Sequence, residues 1–143
     1  MKTIVVGYDQ TGPADRALER AAELARTFGA KVIVASVAPV LAAAQTARGV
    51  GPFDPADSPM HHEEELRHAR ELLEGKGISV EYQLALGDPP EALVELAEKR
   101  GADLIVVGTR EPSFLTRLFG LSVSGGVQRR AHCDVLIVHE PHV

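Results

Sequence analysis

The chain has 143 residues, 45% apolar and 24% charged, with 4% aromatic residues and no Trp. That is the size and usage of one globular domain over residues 1–143, with a core of Val, Leu, Ile and Ala. The net charge of −5 gives no general attraction to nucleic acid or an anionic membrane, the lone Cys133 excludes an internal disulfide, and no apolar run approaches the ~20 residues that span a bilayer.

The opening MKTIVVGYDQ enters a strand at once, without the apolar stretch and cleavage site of a signal peptide. The expected location is the cytoplasm. Thr3 to Tyr8 is the first strand. Residues 13–29 place Ala14, Leu18, Ala21, Ala22, Ala25 and Phe28 at helical spacing. Pro13 suits the first turn and Gly29 the stop. Lys31 to Val37 is the second strand. Residues 38–59 carry several Gly and Pro, and are too long for a plain connector; they read as a lid or a mobile loop.

Residues 60–75 form the next helix, with Leu66, Ala69, Leu72 and Leu73 inward. Its start, HHEEELRH, reads as a solvated helix end rather than a metal site. Ser79 to Ala85 alternates in polarity, as an edge strand does. Asp88 caps a helix over 89–100, which opens on Pro89, buries Ala92, Leu93, Leu96 and Ala97, and stops at Gly101. Asp103 to Gly108 is the fourth strand. A second long loop, 108–121, leads to a helix over 115–131, with Leu115, Leu118, Phe119, Val123, Val127 and Ala131 on one stripe. Asp134 to Glu140 is the fifth strand.

Four of the five strand runs are continuously apolar and rich in Val and Ile, which marks strands covered on both faces. Strands alternating with helices give a three-layer α/β fold with a parallel sheet. Such sheets bind ligands beyond the carboxyl ends of their strands, where the direction of strand addition reverses.

Three segments carry a resemblance: IVVGYDQTGPADRALERAAELA at the start, VVGTREPSFLTRLFGLSVSGGV after the fourth strand, and RRAHCDVLIVHEP at the end. With GDPPEALVELA before the fourth strand, they resemble the universal stress protein family over essentially the whole chain. The resemblance implies a five-stranded sheet in the order 3-2-1-4-5, of the adenine nucleotide alpha hydrolase-like kind, and a homodimer through the last strand. It also implies an adenine nucleotide across the ends of strands one and four. The nucleotide-binding positions it picks out are Gly7, Tyr8, Asp9, Val37, Val107, Gly108, Thr109, Arg110, Leu121, Ser122, Val123 and Ser124. Asp9 has two readings: an acceptor for ribose or the adenine edge, or a turn residue that works with Thr11 at the next helix.

The family's glycine loop, G-x2-G-x9-G-[ST], is altered here. Gly108 matches the first glycine, Glu111 stands at the second and Leu121 at the third, one place after Gly120. A carboxylate 4 Å from a phosphate charge costs about 4 kcal/mol at an effective dielectric of ~20. Leu121 lacks the backbone freedom of glycine, although Arg110 and Arg117 offset some of the charge. The loop therefore favours AMP or cyclic AMP over ATP, with no cofactor obligatory. The expected function is nucleotide binding and sensing in a stress response, with protein partners unnamed. The alternative is a ligand-free dimeric interaction protein of the same fold.

No nucleophile elbow, Walker A lysine or HExxH is present. The chain reads as a non-enzyme, with slow ATP hydrolysis at Asp9 and Glu111 as a weaker option. Cys133, beside His132, reads as a packing residue rather than a reactive thiol.

Overall fold

The computed structural model describes residues 1–38, 59–109, 127 and 131–139. They form β1 (Thr3–Gly7), α1 (Gly12–Phe28), β2 (Lys31–Ala38), α2 (Pro59–Leu73), β3 (Ser79–Leu86), α3 (Pro89–Arg100), β4 (Leu104–Thr109) and β5 (Asp134–His139). The runs of Val and Ile become strands because both of their faces are covered. The five strands make one parallel sheet in the order β3-β2-β1-β4-β5, as the resemblance implies.

The register is fixed at the start of the chain. Asp103 Oδ2 accepts from Lys2 N at 2.7 Å and Thr3 N at 2.9 Å, and Asp103 N donates to Thr3 O at 2.9 Å. These bonds set Ile4 opposite Leu104. They also hold the Asp103 carboxyl below its ordinary range, the Lys2 bond contributing most. At the outer strands, Glu81 of β3 is paired with Lys31 of β2 and with Arg100 at the end of α3. Those two cations, Lys31 foremost, hold Glu81 ionised.

The sheet separates two cores. Ile4, Val6, Val32, Val34 and Val106 meet α1 and α2 on one face. Val5, Ile33, Ile105 and Val107 meet α3 on the other, with Val127, a buried helical residue, joining them. Val80, Tyr82 and Leu84 are half-buried against the first core, as expected of an edge strand.

The helix ends follow from short-range chemistry. Thr11 caps α1 by accepting from Ala14 N at 3.3 Å, and Gly29, at φ 67°, ends it in a conformation that glycine tolerates best. Asp88 stands at the cap position of α3 without a side-chain cap bond, and Gly101 stops that helix. Two inward assignments fail. Phe28 is 55% exposed because α1 is ending there, and Leu72 is 37% exposed because Ala69 and Leu73 already fill the α2 stripe. The 38–59 loop lies outside the described residues except at its two ends. So does the expected helix over 115–131, apart from Val127 and Ala131. Among the described residues no helix is long and apolar enough to cross a membrane.

Candidate functional site

Strand addition reverses between β1 and β4, since β2 and β3 lie to one side and β5 to the other. A cleft of about 280 Å³ opens there, at the carboxyl ends of the strands. Gly7, Tyr8 and Asp9 line it from the end of β1, Ala35 and Val37 from β2, Val107 and Gly108 from β4, Thr11 and Ala14 from the start of α1, His62 from α2, and Pro89 and Leu93 from α3. Six of the expected site positions thus come together: Gly7, Tyr8, Asp9, Val37, Val107 and Gly108. Thr109 ends β4, buried and paired with His139 of β5, and does not line the cleft. Arg110, Leu121, Ser122, Val123 and Ser124 lie outside the described residues, as does Glu111.

The two glycines serve packing. A Cβ on Gly108 would stand 2.5 Å from the carbonyl carbon and oxygen of Pro13, so the missing side chain lets α1 lie directly on β4. A Cβ on Gly7 would stand 2.9 Å from Leu93 Cδ1, so its absence admits the α3 side chain beside the cleft. Gly108 therefore has a structural duty besides any approach to phosphate.

Asp9 is exposed, and its Oδ1 accepts from Thr11 N at 3.3 Å and Thr11 Oγ1 at 2.6 Å. This is the turn geometry: Asp9 braces Thr11, and Thr11 caps α1. Gln10 completes the turn at φ 61°, a conformation uncommon outside glycine, Asn and Asp. The Asp9 carboxylate keeps its second oxygen outside that turn and still lines the cleft, so both readings of Asp9 fit one geometry.

The Tyr8 amide donates to Ala35 O at 2.9 Å, while its phenol donates to Asp15 Oδ1 at 2.5 Å. Its ring stacks on His68 with centroids 6.3 Å apart. Burial, then the bond to Asp15, push the phenol above its usual range, so it remains a neutral donor committed to α1.

The helix start read as solvated is partly buried, and here the sequence reading is corrected. His62 and Glu65 are 9% and 3% exposed, and both face Ser36, which is wholly buried in β2. Ser36 Oγ donates to Glu65 Oε1 at 2.7 Å and lies 2.7 Å from His62 Nδ1, which is 2.5 Å from the same carboxylate oxygen. The serine and the acid both meet one ring nitrogen. They do not form the nucleophile–base–acid line of a hydrolase, which uses both nitrogens. The signal was present: residues 62, 66, 69 and 73 share one stripe, and Ser36 interrupts an apolar strand.

Among the described residues no three His, Cys, Asp or Glu side chains gather as metal ligands. Cys133 is half-buried, and that burial, reinforced by Asp134, pushes its thiol up, away from the reactive thiolate.

The model of the universal stress protein family matches residues 1–139. The chain belongs to that family. A universal stress protein of Mycobacterium tuberculosis strain H37Rv is 39% identical over 146 residues, covering 96% of each chain. A universal stress protein solved in complex with cAMP is 34% identical, with a TM-score of 0.73 and 96% of each chain covered. Another family member, from Archaeoglobus fulgidus in complex with dAMP, is 26% identical, with a TM-score of 0.72 over 96% of this chain and 98% of that one.

Proposed function

We propose that this chain binds an adenine nucleotide in the cleft at the ends of β1 and β4 and acts as a non-enzymatic sensor in the cytoplasmic stress response. One observation carries the reading: the cleft lies at the switch point of a family sheet, and relatives at 34% and 26% identity were solved with cAMP and dAMP. The lining suits such a guest. Val37, Leu93 and Val107 offer apolar surface to a flat base, and the free oxygen of Asp9 would accept from ribose hydroxyls. The backbone at Val37 would serve the base edge. Gly108 at the end of β4, with Arg110, Leu121, Ser122, Val123 and Ser124 beyond it, would serve the phosphate. With Glu111 and Leu121 in place of loop glycines, a monophosphate or cyclic nucleotide is favoured over ATP.

The deciding experiment is titration calorimetry with AMP, cyclic AMP and ATP. Micromolar to sub-millimolar binding of the first two, with ATP weaker, is expected. No heat from any of them at millimolar concentration ends the nucleotide reading. The same reading includes a homodimer through β5, an edge strand whose Val135, Leu136 and Ile137 are only half-buried. A monomer mass by light scattering at micromolar concentration removes that part.

A further inference from the structure

β3 closes one side of the sheet, and among the described residues no strand pairs with its outer edge. Gly87 N donates to Ala38 O at 2.9 Å. That bond turns the peptide groups of the odd-numbered residues toward β2 and those of Tyr82, Leu84 and Leu86 outward, as a strand alternates. Folded proteins guard such an edge with charge, proline or a bulge, because it invites another strand. The first half of β3 is guarded in this way by Glu81, which is tied to Lys31 and Arg100. The second half, Tyr82 to Leu86, carries no charge and no proline, and it follows β2 residue for residue without a bulge.

Beside that unguarded half lies an open groove of about 720 Å³ between β3 and α3. Gln83 and Ala85 form one wall, Ala92 and Leu96 the other, and Leu86, 52% exposed, stands at the end. Glu95 and Lys99 rim the groove from α3, and both are exposed. They are four residues apart with the acid first, the spacing that favours an ion pair on a helix. Yet neither has an ion-pair partner among the described residues. The third charge on the rim, Glu98, faces His132, whose Nδ1 is 2.9 Å from its Oε1.

The two free charges have a fixed order along the edge. β3 runs toward the carboxyl ends of the sheet and α3 returns from them, since β4 begins again at the amino ends. Glu95 is therefore nearer Leu86, and Lys99 lies about 6 Å further down the helix axis. Two residues of an extended chain span about 6.6 Å, so one face of an added strand matches both charges in turn.

We propose that the edge of β3 from Tyr82 to Leu86, with the groove beside it, docks an extended segment of another protein as an added strand antiparallel to β3. The outward peptide groups supply the main-chain bonds, and the side-chain pattern supplies the choice of partner. Alternate residues of the segment are apolar and continue the half-buried row Val80, Tyr82 and Leu84. The residues between them carry a cation that meets Glu95 and, two places on, an anion that meets Lys99. The aliphatic stems of those two side chains lie along Ala92 and Leu96. Antiparallel pairing is the more stable per residue, and it sets the order: the added strand passes Glu95 before Lys99, so the cation comes first. The inference does not depend on the nucleotide reading.

The test is fluorescence anisotropy on the full chain with two labelled peptides of one composition, Thr-Val-Lys-Val-Glu-Val-Thr and Thr-Val-Glu-Val-Lys-Val-Thr. The first should bind at least about fivefold more tightly, because two exposed attractions are exchanged for two repulsions in the second. Glu95→Lys combined with Lys99→Glu should reverse the preference, and both sites are exposed enough to leave the fold intact. Hydrogen exchange at the Tyr82 and Leu84 amides should slow when the first peptide binds. No binding of either peptide at millimolar concentration overturns the inference. So do equal affinities, a preference for the second peptide, or a preference that survives the exchange of charges. Protection of the Tyr82 and Leu84 amides that grows with protein concentration in the absence of peptide assigns the edge to a second copy of the chain, and overturns it as well. None of these outcomes touches the nucleotide reading, which the calorimetry with AMP decides separately.

Discussion

Replacing Gly108 by Ala adds one methyl group where the structure leaves no room. The new carbon would stand 2.5 Å from Pro13 C and O and 2.8 Å from Pro13 Cβ, against ~3.5–4 Å for ordinary carbon contact. About 1 Å of separation must therefore open between β4 and the first turn of α1. Pro13 cannot yield by rotating a side chain, because two of the three clashing atoms are backbone. Overpacking of this kind costs roughly 1–3 kcal/mol, and the rigid neighbour puts Gly108→Ala toward the upper end. The reduced freedom of the unfolded chain returns about 0.4–1 kcal/mol, leaving a net loss near 2 kcal/mol. Gly7→Ala is the control. Its nearest neighbour is Leu93 Cδ1 at 2.9 Å, the end of a side chain that can turn, so its net loss should stay below about 1 kcal/mol. Urea unfolding reads the difference: with a slope of about 1–3 kcal/mol per molar, Gly108→Ala should lower the midpoint by roughly 1 M and Gly7→Ala by half that or less. Equal midpoints for Gly108→Ala and wild type would refute the packing role assigned to this glycine.

Three further outcomes are expected. Asp103 has a lowered carboxyl pKa in the folded chain, so its contribution is present above the unfolded value near ~3.9 and is lost as pH falls through the folded value; the gap in melting temperature between wild type and Asp103→Asn should be full at pH 6 and shrink below pH 4, and a gap independent of pH would contradict it. The Cys133 thiol should react slowly with a disulfide reagent at pH 8 and rapidly once the chain is unfolded in urea; equal rates would contradict its burial. Glu111→Gly combined with Leu121→Gly should tighten ATP more than AMP by calorimetry, and unchanged ATP affinity would remove the loop from the account of phosphate preference.

Much of the fold is legible because burial on both faces leaves a direct trace: Val and Ile runs with no polar alternation. Strand ends shift by one residue, Gly7 for Tyr8 and Ala38 for Val37; β2 runs on to Ala38 because β3 pairs with it as far as Leu86. Helix stops at Gly29 and Gly101 are readable from the left-handed conformation each adopts. The inward stripe is less secure near helix ends, as Phe28 shows. The position of the cleft follows from topology, and six of its residues from the strand-end motifs. His62 and Glu65 escape that reading because charge counts as solvated when letters are taken singly. Only their phase with Leu66, Ala69 and Leu73, matched to the lone polar Ser36 in an apolar strand, reveals that they face inward. The loop motif marks Gly108 for its nearness to phosphate; its contact with Pro13 depends on how a helix lies over the sheet, which no local pattern encodes.

The bonds from Lys2 and Thr3 to Asp103 also set an order of events during synthesis. β1 is the central strand, yet one neighbour, β4, lies a hundred residues away. At ribosomal speeds of about 5–20 residues per second, the first strand waits roughly 5–20 s with one apolar edge unpaired. Until Asp103 emerges, the nascent chain can assemble only the β1-β2-β3 side of its sheet. Neither core can close before β4 and β5 emerge, since Val106 and Val138 belong to one and Ile105 and Val107 to the other, and the cleft at the ends of β1 and β4 cannot exist before then.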